Sequence, residues 1–182
     1  MNIVLIGYRG SGKTAVGRLL ADKLGWSFLD TDVLVEERSG RTIRDILADR
    51  AENGFRDVES QVVSEVAGVD RHVIATGGGA VLRPENAQAL KRGGRLVWLA
   101  ASAEVLWERI RNDTSRLDNR PADPAQGHQT IRDVLREREP VYAGWADLVV
   151  ETTGQSPHEV AEQILSRLGL ERKPRNPASA SA

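Results

Sequence analysis

A chain of 182 residues and 19.9 kDa can fill one hydrophobic core, and 40% hydrophobic with 28% charged residues is ordinary for a globular protein in water. The net charge of −1 leaves no overall basic field to gather nucleic acid or an anionic membrane surface, so any anion must be held by a local site. With no cysteine there is no disulfide framework, no thiol nucleophile and no thiolate metal site.

In chain order, NIVLIG (2–7) reads as a buried strand, with no basic region before it and no small-residue cleavage site after it. TAVGRLLADKLG follows as a helix, with Val16, Leu19, Leu20 and Leu24 on one face and Gly25 beyond its end. SFLD is a short second strand. TIRDILADR starts a helix at a Thr42 cap, and FRDVESQVVSEVA continues helical after Gly54. HVIATGGG (72–79) is a third strand running into three glycines. PENAQALKRGG is a helix opened by Pro84, RLVWLA a fourth strand, and SAEVLWERIRN a helix capped by Ser102.

Residues 113–128 carry turn formers without periodicity and predict a long exposed loop. TIRDVLREREPVYAGWA is helical at least to Arg138, DLVVET is the last strand and SPHEVAEQILSRLGL the last helix. The Pro/Ser/Ala-rich end, 171–182, reads as a disordered tail behind a single domain over 1–170. Strands separated by helices predict a three-layer αβα fold around a mostly parallel five-stranded sheet. No run approaches the roughly 18 apolar residues of a membrane span, which points to a cytoplasmic protein.

The chemistry begins at GYRGSGKT (7–14), which fits G-x-x-x-x-G-K-[ST] between a predicted strand and a predicted helix, the context this phosphate-binding loop requires. Its glycines let backbone N–H groups turn inward, and the helix N-terminus adds partial positive charge. Lys13 reaches the β- and γ-phosphates, and the Thr14 hydroxyl ligates Mg²⁺. Lysine is rare here, only Lys13, Lys23, Lys91 and Lys173 against 25 basic residues in all.

Such a site also needs an acid near the metal. HVIATGG and RLVWLAA end without one, and Glu151 comes late in the chain. SFLDTD ends on the same sheet edge as the loop, so Asp30 and Asp32 are the candidates, although acids at a helix start also suit the helix dipole. Taken alone, Arg56 or Arg138 would be a surface residue and the triple glycine a flexible turn. The scattered His72, His128 and His158 read as structural or surface residues.

Together, FLDTD (28–32), SGRTIRDI (39–46), GFRDVES (54–60), ATGGGAV (75–81), NRP (119–121) and REREPVY (136–142) follow the loop in an order that resembles shikimate kinase over about 1–168. The resemblance implies a P-loop NTPase fold of the nucleoside-monophosphate-kinase type. It also implies ATP-dependent phosphorylation of the shikimate 3-hydroxyl, on the route to aromatic amino acids. Gly10, Ser11, Gly12, Lys13, Thr14 and Ala15 would hold ATP, with Arg109 and Gln155 beside the adenine. Thr14 and Asp30 would serve Mg²⁺. Asp32, Arg56, Gly77, Gly78, Gly79 and Arg138 would bind shikimate, the two arginines taking its carboxylate, with Lys13, Asp32 and Arg120 catalytic.

The same pattern implies a substrate-binding helical region at about 32–60, a mobile lid at about 112–128 bearing Arg120, and a monomer. The lid departs from the family in having Ala122, Asp123 and Pro124 after its Arg-Pro pair, and Arg116 is the alternative lid arginine. Gln155 stands where some relatives carry a basic residue. Tyr8 and Arg9 vary the inside of the loop, with side chains expected to point away from phosphate. The rival readings are a gluconate-kinase-like enzyme of the same fold and a nucleotide-binding module without catalysis.

Overall fold

The computed structural model describes residues 1–113 and 124–170. Arg116, Arg120 and Pro121, and the tail 171–182, lie outside the described residues. Five strands, β1 (Asn2–Ile6), β2 (Ser27–Asp30), β3 (His72–Ala75), β4 (Gly94–Ala100) and β5 (Leu148–Glu151), form one sheet in the order β2-β3-β1-β4-β5. Every pairing is parallel, so the expected mostly parallel sheet is wholly so.

Side-chain alternation assigns the two faces. Val4, Ile6, Ile74 and Leu96 pack on one side with α3 (Ile43–Val66) and α4 (Pro84–Gly93). Ile3, Leu5, Val73, Val97, Leu99 and Val150 pack on the other with α1 (Lys13–Leu24) and α7 (Pro157–Arg167). A strand buried on both faces has no polar side to show, which is why NIVLI is an unbroken apolar run. The remaining helices are α2 (Thr31–Ser39), α5 (Ala103–Asn112) and α6 (Pro124–Trp145), with α5 and α6 packed through Leu106, Ile110, Ile131 and Leu135. No described helix is long and apolar enough to cross a membrane.

Caps set the helix starts. Thr42 accepts from the Asp45 N–H, Ser102 from that of Val105, and Ser156 with Glu159 forms a reciprocal capping box.

Three expectations change. The two helical segments around Gly54 are one helix, α3, because Ile46, Phe55, Val62, Val63 and Val66 share a buried face. That burial outweighs the roughly 1 kcal/mol an interior glycine costs. β3 stops at Ala75 instead of running to residue 79: Thr76 N–H still reaches Leu5 O, after which the chain turns into a short 3₁₀ segment, Ala80–Leu82. The loop expected to last to residue 128 has ended by Pro124, where α6 begins with a residue whose fixed φ suits a helix start.

Register places the functional edge. Asp30 and Leu5 both pair with Ala75, Ile6 pairs with Trp98, and Ala100 pairs with Glu151. All five strands therefore end along one edge, where a parallel sheet gathers its ligands.

Candidate active site

The loop after β1 is shaped by backbone conformations that side chains disfavour. Gly7, Gly10 and Gly12 have φ of 136°, 82° and 94°, and a Cβ on Gly7 would also stand 2.6 Å from Leu99 O. No side chain caps α1 at Gly12, so its first-turn N–H groups are left for an anion. Lys13, 9% exposed, folds back across the loop and donates to Gly7 O and Tyr8 O, both at 2.8 Å, and to Ser11 Oγ at 3.4 Å. The ammonium is thereby held over the cradle by weak acceptors that phosphate oxygens can replace.

Thr14 is the next residue of α1, and its exposed hydroxyl donates to Asp30 Oδ2 at 2.8 Å. Asp30 Oδ1 accepts the Asp32 N–H at 3.1 Å and so caps α2. One carboxylate therefore joins Thr14 of the loop to the helix that carries the second acid.

A second corner adjoins the first. Gly77 N–H donates to Thr31 Oγ1 at 2.9 Å, which draws the glycine run against α2. A Cβ on Gly77 would lie 2.7 Å from both Asp32 Oδ1 and Glu59 Oε1, and one on Gly79 would overlap the guanidinium of Arg56. The glycines are thus required by close approach: two carboxylates and an arginine lie directly on their main chain.

Arg56 Nη1 donates to Glu59 Oε2 at 2.7 Å, one turn further along α3. Both side chains are largely covered, at 14% and 2% exposure. Burial raises the Glu59 pKa, Arg56 draws it down, and the Asp32 charge adds a smaller upward push. Its other oxygen, Oε1, has no hydrogen-bond partner among the described residues and faces Gly77.

Arg138 enters from α6, its guanidinium 5.8 Å above the centre of the Tyr8 ring. One turn further along α6, the Tyr142 hydroxyl donates to Gly78 O at 2.5 Å. Arg56 and Arg138, 82 positions apart in sequence, flank the same glycine run, Arg56 against Gly79 and Arg138 over Tyr8, whose main chain lies beside Gly78. On the nucleotide side, Arg109 donates to Thr152 Oγ1 at 2.9 Å, Thr152 O at 2.7 Å and Gly10 O at 3.4 Å. Gln155 donates to Glu151 O at 2.7 Å, at the end of β5. Arg109 therefore ties the phosphate loop to the loop carrying Gln155.

The sequence reading gave no role to Thr152, nor to Thr31, Glu59 and Tyr142, although these three lie within FLDTD, GFRDVES and REREPVY. Glu59 had a signal, since Arg56 and Glu59 are three apart on a helix and can pair. The Tyr8 ring packs with the α5–α6 cluster and lies against Arg138. A surface cavity of about 560 Å³ among Trp98, Ala103, Arg132, Leu135 and Pro140 is lined by none of these site residues.

Comparison with known proteins gives this geometry a family. The model of the family described as shikimate kinase matches residues 9–169. Shikimate kinase of Symbiobacterium thermophilum is 48% identical over 172 residues, covering 92% of this chain and 96% of that protein. The Moorella thermoacetica enzyme is 47% identical over 167 residues, covering 92% and 94%. Among solved structures, shikimate kinase from Acinetobacter baumannii in complex with shikimate superposes with a TM-score of 0.85 at 37% identity, over 92% of each chain. A gluconokinase from Sinorhizobium meliloti, at 19% identity and a TM-score of 0.53, shares the fold alone. With a family model spanning nearly all of the described chain, and relatives close to half identical along it, the chain belongs to the shikimate kinase family.

Proposed function

We propose that this chain transfers the γ-phosphoryl group of ATP to the 3-hydroxyl of shikimate, as a Mg²⁺-dependent monomer of the cytoplasm serving aromatic amino acid biosynthesis. One observation carries the reading. A phosphate-binding loop and a corner holding Asp32, Arg56, Arg138 and three glycines meet at one sheet edge.

The backbone of Gly10 to Ala15 cradles the phosphates, and Lys13 trades its bonds to Gly7 O and Tyr8 O for phosphate oxygens. Thr14 Oγ1 and, through water, the Asp30 carboxylate beside it would hold Mg²⁺, a hard cation that takes oxygen ligands. Once bound, the ion supplies neutralising charge at the transferring phosphoryl group. Arg109 and Gln155 border the adenine.

Arg56 and Arg138 take the acceptor carboxylate, since a planar guanidinium matches it with two hydrogen bonds. Glu59 holds Arg56 in place. The Gly77, Gly78 and Gly79 main chain lies against the ring, and Asp32 orients the hydroxyl and accepts its proton as it attacks. Arg120 closes over the phosphates and helps exclude water; Arg116 is its alternative.

The test is ADP formation from ATP over a panel of small acceptors. Turnover is expected only when shikimate and Mg²⁺ are both present. Comparable turnover with gluconate or a nucleoside monophosphate would overturn the assignment.

A further inference from the structure

Shortly after Gly79, Arg83 stands at the N-cap of α4, where a side chain that can only donate has nothing to cap. It reaches across to α3 instead. A single nitrogen, Nη1, donates to Asp57 Oδ1 at 2.9 Å and to Arg56 O and Ser60 Oγ, both at 3.2 Å. These contacts cross 23 to 27 positions of sequence, and the arginine side chain is only 28% exposed.

The turn of α3 that Arg83 grips is the one that carries Arg56. Residues three apart share a helix face, so Asp57 and Ser60 lie together on one face, and Arg56 and Glu59 on the neighbouring one. The second face looks onto the glycine run, where the Arg56 guanidinium lies against Gly79. A helical carbonyl keeps a second lone pair beside its own hydrogen bond, and that of Arg56 receives Arg83. The short stretch from Gly79 to Arg83 therefore meets Arg56 at both ends, its guanidinium at Gly79 and its carbonyl at Arg83. Between those points the chain is itself held. Leu82 N–H donates to Gly79 O at 3.1 Å and Asn86 Nδ2 to Ala80 O at 3.0 Å, while Ala80 and Val81 are buried in one cluster with Phe55 and Val62.

We propose that Arg83 is a positioning residue for the acceptor, clamping the Arg56 turn of α3 to the chain beyond the glycine run so that the Arg56 guanidinium stands at a fixed separation from the glycine main chain. The inference rests on the reading of Arg56 as a carboxylate-binding residue. The three acceptors of Arg83 lie on α3 and none in the phosphate cradle, so its contribution belongs to acceptor binding and not to the chemical step.

The experiment is Arg83→Met, which keeps the apolar stem and removes every donor, with steady-state kinetics taken against shikimate and against ATP. Arg56→Ala and the double variant are measured alongside. The shikimate KM is expected to rise about three- to tenfold, the worth of one hydrogen bond. The ATP KM and kcat should stay within about twofold of wild type. On the Arg56→Ala background Arg83→Met should add less than it does alone. Asp57→Ala combined with Ser60→Ala attacks the same clamp from α3, with Arg83 left in place and Asp57 largely exposed. It should raise the shikimate KM about two- to fivefold, part of the same hydrogen bonding, at constant ATP KM.

An unchanged shikimate KM in Arg83→Met or in the α3 variant, a parallel rise in both KM values, or full additivity with Arg56→Ala would each overturn the positioning role. If Arg56→Ala itself leaves shikimate KM unchanged, the reading of the carboxylate site fails and the Arg83 inference with it. If Arg56→Ala raises KM and Arg83→Met does not, only the Arg83 inference fails.

Discussion

The two halves of the site are built in opposite ways. The phosphate cradle is one contiguous segment, residues 7–14, and its shape comes from local backbone: three left-handed glycines, a helix start, and a lysine bonded to its own loop. The acceptor corner is gathered from α2, α3, the glycine run after β3, and α6. The cradle holds Lys13 on its own carbonyls and leaves the first-turn N–H groups of α1 without a side-chain cap. The corner keeps two carboxylates and two guanidiniums close together and sets one buried oxygen, Glu59 Oε1, where no described residue bonds it. A loop that binds phosphate in general needs only its own backbone, whereas a pocket that selects one ring must draw on several elements, each adding one contact.

The comparison breaks most visibly at Asp32. Asp32→Asn keeps the side-chain shape and leaves the Asp30 cap, which uses the Asp32 backbone N–H, intact. Transfer is expected to fall by about 10²–10⁴-fold, the range of a lost general base, while calorimetry still detects ATP binding. A fully active variant would return Asp30 and Asp32 to the role of helix-start acids.

Arg138→Ala is next in size. Loss of one charge-assisted pair costs about 1.5–3 kcal/mol, or roughly tenfold to a hundredfold in shikimate affinity. ATP affinity should hold, because no atom of the phosphate cradle is changed. Equal losses for the two ligands would show that the halves are not separable in the way their construction implies.

Gly79→Ala probes the corner without touching a charge. Its φ of −109° suits any residue, so no backbone strain arises, but the new methyl would occupy the place of the Arg56 guanidinium. The arginine can swing aside because it is the far end of a flexible chain. The fold should therefore survive with a nearly unchanged melting temperature, while shikimate KM rises about tenfold, roughly the cost of one displaced charged contact. Unchanged KM would mean that Arg56 works equally well from another position.

The smallest effect is electrostatic and appears as a pH slope. Burial pushes the Glu59 pKa above its ordinary value of 4.5 despite Arg56. A raised carboxyl pKa means that the folded protein holds the proton more tightly than the unfolded chain. The Glu59 contribution to stability is then fully present below pH 4.5 and declines as pH rises through the raised value. Melting temperatures of wild type and Glu59→Gln, followed from pH 4 to 7, should show wild type faring relatively best at the acidic end. A gap that widens with rising pH would mean that the Arg56 pair outweighs burial.

How much of this could be read from residue order follows the same division. Lys13, Thr14 and the glycines were legible because the pattern that marks them is one contiguous segment, residues 7–14. Asp30 and Asp32 were legible because β2 directly follows the loop helix and a parallel sheet aligns strand ends. Arg56, Arg138 and the glycine run were recognised through their order along the chain, not through any local rule. Glu59 and Tyr142 were given no role although GFRDVES and REREPVY contain them, and Thr152 was missed because its contact with Arg109 spans 43 positions. The break of the expected loop at Pro124 was missed because residues 124–130, PAQGHQT, carry little apolar periodicity; what holds that end of α6 is Ile131 and Leu135 packed on α5.

By itself the sequence determined the layering, the phosphate cradle and the five strands, because unbroken apolar runs, helix periodicity and glycine chemistry act over short distances. Only the tertiary structure decided that every strand runs the same way, that Thr31 draws Gly77 against Asp32, and that the Tyr142 hydroxyl reaches Gly78. Those are meetings of groups tens of residues apart, and it is the packing of helices on a shared sheet that brings them within reach.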